Sequence, residues 1–149
     1  MPDKPSNQQI VERYAAASAA NDEAAMAALR HADWQVIWPQ SGERIVGHRN
    51  FAQVANQYPG GMPTSRLERL VGAEDRWVVT PSNTVARVVG SGDFWWGEWR
   101  MTYPDGKVYL CITLLELRDE RIWREVAYWA EPFEAPDWRR PYVEDGPGA

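Results

Sequence analysis

Few side chains in this chain are equipped for chemistry. The single thiol, Cys111, has no histidine placed to activate it, so it reads as a buried apolar thiol rather than a nucleophile. His31 and His48 show no ligand spacing of the His-x-x-x-His kind, and with one cysteine no metal site and no cofactor is expected. His31 falls at the end of a helical stretch, where a cation suits the dipole, and His48 follows Gly47 at a helix start. Gly90-Ser91-Gly92 joins two strands and opens no helix, so it is a hairpin turn rather than a phosphate loop. Carboxylates remain. Glu98 and Glu125 lie on strands, and burial in an aromatic-walled cavity would raise a carboxyl pKa and make it a usable general acid or base. Arg100 could instead hold one of them in a structural ion pair. Such a pair would still polarise a bound carbonyl, so both readings stay open.

The elements that must position these groups come in a clear order. Ser6 and Gln9 form a capping box ahead of Ile10, Val11, Tyr14 and Ala17 at helical spacing. Asn21-Asp22 breaks this helix and caps a second, Ala-rich one from Glu23 to about Arg30. Trp34, Val36 and Trp38 then alternate before Pro39 and Gly42 turn the chain. A third helix, about His48 to Gln57, has Phe51, Val54 and Ala55 on its buried face and ends at Tyr58-Pro59-Gly60-Gly61. From Ser65 the period is two, with strands expected at Arg66–Val71, Thr84–Val89, Phe94–Tyr103, Val108–Leu117 and Ile122–Ala130. Trp77–Thr80 reads as a strand extension or a bulged excursion, and the path of residues 72–84 stays open. Asp105-Gly106 is a strong two-residue hairpin signal and Asp119-Glu120 a weaker one. Helices first and strands afterwards describe an α+β domain, three helices on one face of a strongly curved antiparallel sheet, mixed at most at one edge. Residues 1–131 form the domain; 132–149 form a proline-rich strap of the same domain, with Phe133 and Trp138 expected to staple it down.

Composition narrows the function. The chain has 149 residues, about one domain, and 21 acidic against 16 basic residues spread along its length, a net charge of −5. That argues against nucleic acid, which needs clustered Lys and Arg. No apolar run approaches the ~20 residues that span a bilayer, and the first ten residues lack a signal peptide's apolar stretch, so a cytoplasmic protein without a membrane partner is expected. Nine tryptophans are the outlier. Trp34, Trp38, Trp96, Trp123 and Trp129 could wall a pocket for a flat ligand or pack a core.

The order of elements and the residues punctuating it resemble the nuclear transport factor 2-like superfamily, and within it the SnoaL-like proteins. The resemblance covers about residues 10–131. It is carried by Val11-Glu12-Arg13-Tyr14, Asn21-Asp22, Asp33 to Pro39, Ile45-Val46-Gly47-His48 and Arg118-Asp119-Glu120-Arg121-Ile122. It implies a cone-shaped domain enclosing an apolar pocket, and a homodimer formed through the outer sheet face. The fold hosts isomerases, epoxide hydrolases, cyclases, dehydratases and non-catalytic binders, so it leaves the activity open.

With a two-residue turn at Asp105-Gly106, Glu98 lies opposite Thr113 and Arg100 opposite Cys111. One face then carries Trp96, Glu98, Arg100, Thr102, Tyr109, Cys111, Thr113, Leu115 and Leu117, and the resemblance implies that this face looks into the pocket. Val36 and Trp38 from the first strand, and Trp123, Glu125, Ala127 and Trp129 from the last, complete the expected lining. The opposite stripe, Trp95, Trp99, Met101, Leu110, Ile112 and Leu114, suits a dimer interface.

The resemblance also places Tyr14 where steroid isomerases hold a tyrosine that donates to an enolate oxygen. Their general base falls at Trp38, before Pro39, and their protonated aspartate at Thr113. The Arg-x-Asp pair of the epoxide hydrolases becomes Arg100-x-Thr102, and the last-strand aspartate of the hydrolases and cyclases becomes Ala127. The expectation is therefore a pocket for a small, mostly apolar, ring-containing or carbonyl compound. If it is catalytic, Tyr14 and Thr113 would donate hydrogen bonds, Arg100 would stabilise negative charge, and Glu98 or Glu125 would move the proton. The alternative is a non-catalytic binding or dimerisation module that has lost the family's carboxylates.

Overall fold

Ser6 starts the first helix, α1 (Asn7–Ala19), with the expected capping box: the Gln9 N–H donates to Ser6 Oγ at 3.2 Å, and the Ser6 N–H to Gln9 Oε1 at 2.9 Å. Asp22 caps α2 (Glu23–Leu29) by accepting from the Ala25 N–H at 3.0 Å. The chain then passes without a loop into β1 (Arg30–Trp38), which begins three residues before the expected Asp33. It returns in β2 (Glu43–Val46), a short edge strand that periodicity did not reveal. Helix α3 (His48–Asn56) follows, and β3 (Thr64–Gly72) begins the strand-rich half.

The computed structural model describes residues 4–72, 76–79, 82, 85–88 and 92–146. Thr80, Thr84 and Val89, at the ends of expected strands, lie outside these residues, as do Gly90 and Ser91 of the expected turn. The stretch around Trp77 is a separate hairpin, β4 (Arg76–Val79) with β5 (Val85–Val88). The main sheet is completed by β6 (Phe94–Thr102), β7 (Val108–Arg118) and β8 (Arg121–Ala130), in the order β2-β1-β8-β7-β6-β3. Only β1 and β8 run parallel among its described pairs, and that pair lies one strand in from the edge. The architecture is α+β.

Two local features decide which side chains face inward. The β6–β7 loop has three residues, not two: the Tyr103 N–H donates to the Lys107 carbonyl and the Gly106 N–H to the Tyr103 carbonyl, both at 2.9 Å. Gly106 takes a left-handed φ of 84° that closes this loop. Thr102 therefore pairs with Val108, Gly97 with Thr113 and Trp99 with Cys111. One extra loop residue inverts the face of every β6 side chain relative to the two-residue expectation. The second feature is a bulge in β8: Leu117 pairs with Ile122 and Glu116 with Arg124, so Trp123 is the extra residue. The Asp119-Glu120 turn, by contrast, is the expected two-residue one, with both residues at positive φ.

The core gathers Ile10, Val11 and Tyr14 of α1, Met26 of α2, Trp34 and Val36 of β1, and Trp95, Leu115, Leu117 and Ile122 of the later strands. Trp95, expected on the outer stripe, is buried, and its ring lies so close to Gly72 that a Cβ there would meet it at 2.7 Å. Helix α3 buries no residue fully: Phe51, Val54 and Ala55 line a cavity, with Phe51 also packed against the core. The strap forms a short 3-10 helix, Asp137–Tyr142, and the expected stapling is not seen, since Phe133 and Trp138 are 80% and 74% exposed. No helix among the described residues is long and apolar enough to cross a membrane.

A Gly106→Ala substitution tests the loop that sets the register. No atom stands within 4 Å of the added Cβ, so the cost is the left-handed backbone alone. Urea denaturation should show a loss of about 1–2 kcal/mol.

Candidate functional site

Helices α1, α2 and α3 and the inner sheet face enclose a cavity of about 400 Å³. At its wall lies a chain of polar groups built around Arg30. This side chain is 5% exposed, with its guanidinium carbon 3.6 Å from the Trp34 ring centroid, 4.6 Å from that of Phe51 and 5.5 Å from that of Tyr14. Aromatic faces and a weakly hydrated guanidinium make such burial tolerable. Arg30 Nε donates to the Tyr14 hydroxyl at 2.8 Å, and Nη1 to His48 Nδ1 at 3.0 Å. Accepting there requires the His48 tautomer with its hydrogen on Nε2. Glu23 Oε2 stands 3.9 Å from the same His48 nitrogen.

Tyr14 in turn donates to Glu125 Oε1, and Trp34 Nε1 donates to the same oxygen at 2.9 Å. Glu125 is held between Val36 on β1 and Leu115 on β7, and its carboxyl lines the cavity. Burial pushes its pKa above the ordinary 4.5, while the Arg30 charge and the Tyr14 and Trp34 hydrogen bonds pull the other way. Tyr14 is raised well above 10 by burial and then by the neighbouring Glu125, so its phenol stays protonated. Burial also lifts the Cys111 thiol to about 12, with Glu125 adding to the effect, which leaves it a thiol and not a nucleophile.

The expected site residues divide cleanly. Tyr14, Val36, Trp38, Cys111, Thr113, Leu115, Glu125, Ala127 and Trp129 line the cavity. Trp96, Glu98, Arg100, Tyr109 and Trp123 do not. The three-residue loop turns Trp96, Glu98 and Arg100 to the outer face, where Arg100 Nε bonds Glu68 at 3.1 Å and Glu98 pairs with Arg69 at 3.5 Å. Tyr109 stacks edge-on against Tyr103, which itself lines the cavity, and the bulged Trp123 lies under the Arg118 guanidinium at 3.7 Å. Trp99 and Met101, expected outside, face inward. The ion-pair reading of Arg100 is the one its geometry matches, but with Glu68 as partner and away from the cavity.

Arg30 was missed as a site residue. It reads as the last residue of α2, yet it opens β1 and is buried on the same alternation as Trp34 and Val36. Gly97 carried a signal. A glycine amid bulky strand residues marks a close approach, and a Cβ there would lie 2.7 Å from Trp99 Nε1 and 3.2 Å from Thr113 Oγ1. Those two atoms are bonded at 3.0 Å, the indole donating, which leaves the Thr113 O–H to offer to a ligand. Thr113 pairs with Ala127, so its hydroxyl and the Glu125 carboxyl occupy neighbouring strands on one cavity face, two residues apart. Tyr14 has no proton to spare in this arrangement and serves to position Glu125. Together the groups can hold a polar atom at Thr113 and exchange a proton at Glu125.

Because the folded pKa of Glu125 is raised, its protonated form is favoured in the folded state. That stability is present below 4.5 and is lost as pH rises through the folded value. Glu125→Gln has no such loss. Thermal melts from pH 4 to 8 should show the melting temperature of the variant gaining on that of the parent across the rise, with no relative change below the ordinary carboxyl range.

Comparisons with known proteins agree with this architecture. A nuclear transport factor 2-like protein of unknown function from Burkholderia xenovorans is 27% identical, with 93% of this chain and 94% of that one covered and a TM-score of 0.71. A candidate ketosteroid isomerase from Kribbella flavida shares the fold at 22% identity, covering 95% and 90% of the two chains with a TM-score of 0.72. A nuclear transport factor 2-like protein of unknown function from Mesorhizobium loti does so at 21%, covering 87% and 97%, with a TM-score of 0.61. A search of curated proteins found no match. The family model described as a SnoaL-like domain matches residues 11–125, and the chain belongs to that family.

Proposed function

We propose that the protein binds a small, mostly apolar, ring-containing carbonyl compound and performs cofactor-free acid–base chemistry on it, of the isomerase, dehydratase or cyclase type. The observation that carries this reading is Glu125, a carboxyl in an otherwise largely apolar cavity, fixed by Tyr14 and Trp34 and raised in pKa by burial. The ionised carboxylate would take a proton from the carbon next to the carbonyl. The Thr113 O–H would hydrogen-bond the oxygen that gains negative charge, and the Glu125 acid would return the proton to another carbon of the same molecule. Tyr14, with Arg30 behind it, holds the carboxyl in place. The protein is expected to work in the cytoplasm.

Deuterium exchange tests this directly. Incubated in D₂O with cyclic enones, the protein should label carbons next to the carbonyl, read by mass spectrometry. Glu125→Gln should lower that rate by about 10²–10⁴-fold. Exchange that survives the substitution would overturn the acid–base role. Trp38, Thr113 and Ala127, where the resemblance places the acids of relatives, line the cavity without a carboxylate. That observation favours the second reading, a binder without turnover, and enone binding without exchange would support it.

We further propose a homodimer through the outer sheet face. Leu110, Ile112 and Tyr128 are each about 45% exposed there, a patch that costs stability if left in water. Trp99 and Met101 leave the stripe expected from the sequence, since both face the cavity. Sedimentation at micromolar concentration should give twice the chain mass, and Ile112→Lys should halve it, since each such side chain buried contributes about 1.5–3 kcal/mol.

A further inference from the structure

Several of the hydrogen-bond donors that line the cavity are already engaged. Ser18 Oγ donates to the Tyr14 carbonyl at 2.9 Å, Asn21 Nδ2 to the Pro63 carbonyl at 3.1 Å and Ser41 Oγ to the Trp38 carbonyl at 3.4 Å. Trp99 donates to Thr113, and Tyr14 to Glu125. Arg30, the one cationic side chain lining the cavity among the described residues, is sealed beneath the Trp34 and Phe51 rings and directed at Tyr14 and His48. An anionic ligand would find no free cation here.

What remains is attractive to positive charge. Trp38 and Trp129 meet at 88° with centroids 5.6 Å apart, forming a two-walled aromatic corner on the cavity face. Glu43 is the residue directly opposite Trp38 across the β1–β2 pair, so it shares that face, and it lines the cavity at the sheet edge. Among the described residues no donor or cation pairs with its carboxylate. Ring faces attract cations through their quadrupole, and an adjacent unpaired carboxylate adds a Coulombic term of the same sign.

We propose that the ligand is a cation: a ring-bearing apolar molecule with a protonated or quaternary amine. The ammonium group sits in the Trp38–Trp129 corner against Glu43, and the apolar body runs inward toward Thr113 and Glu125. Trp38 and Glu125 lie on neighbouring strands, with Glu125 opposite Val36, so the inward end lies about 7 Å from the corner at two residues of strand. The proposal rests on the reading that this cavity is the ligand site, and it narrows the charge class that site accepts.

Two probes of equal shape separate the outcomes. Benzyltrimethylammonium and neopentylbenzene differ only in the charged nitrogen, and tryptophan fluorescence of the full chain reads the binding of each. The ammonium should bind at least tenfold more tightly. Glu43→Gln should shrink that preference to about threefold or less, and Trp129→Leu should weaken ammonium binding most. Equal or tighter binding of neopentylbenzene would overturn the cation proposal and leave the cavity reading standing. A preference that collapses in Glu125→Gln but survives Glu43→Gln would overturn the placement at the corner. Failure of both probes to bind would overturn the cavity reading and the proposal together.

Discussion

A guanidinium buried under aromatic rings sets the terms for the rest of this structure. Arg30 can only donate hydrogen bonds, so every atom that meets it must accept. Tyr14 accepts through its oxygen and is left with one proton, which goes to Glu125. His48 accepts through Nδ1, and Met26 turns its sulfur toward Nη2 at 3.9 Å. One charge thereby ties α1, α2, α3 and β1 together and reaches β8 through a single hydroxyl. The rings of Trp34, Phe51 and Tyr14 offset the desolvation that would otherwise expel the cation. The direction of the Tyr14 O–H, and with it the fixed seat of the Glu125 carboxyl, follows from that one constraint.

That constraint also bears on how the site differs from the chemistries the resemblance suggests. The last-strand acid of those relatives falls at Ala127, and Glu125 is the next inward-facing residue of the same strand. Glu125 stands about 7 Å along β8 from that position, the rise of two residues. There it accepts from Tyr14 and Trp34. Tyr14 lines the cavity and gives its proton to that acid.

Much of the fold was legible because it rests on local rules. The Ser6–Gln9 capping box, the Asn21-Asp22 break, the Asp119-Glu120 turn and the period-two strands all hold in the structure. The site was legible where alternation along a single strand decided it and the loop before it did not. Cys111, Thr113 and Leu115 of β7 and the last three inward residues of β8 were placed correctly, because their alternation needs no knowledge of the loops. Trp96, Glu98 and Arg100 were not, since a two-residue and a three-residue turn both suit Asp-Gly and differ in parity. Trp123 was lost to a bulge, which no residue type announces, and Arg30 to its reading as a helix end when it is the first residue of β1. Long-range geometry of one residue's size thus decided which charges reached the cavity.

Helix α3 carries a consequence for traffic. Its start is Gly47, with no side-chain cap, anchored by the Gly47 N–H on the Trp34 carbonyl at 2.9 Å. It buries none of its residues fully, and its Phe51, Val54 and Ala55 face the cavity, with Phe51 also set edge-on against Trp34. Local opening costs least where the fewest buried contacts must break. Displacing α3 would break the His48 bond to Arg30 and carry off the Phe51 ring that covers the guanidinium. A ligand that entered past α3 would therefore disturb the cover over the buried charge and briefly hydrate the cation on which the site is built.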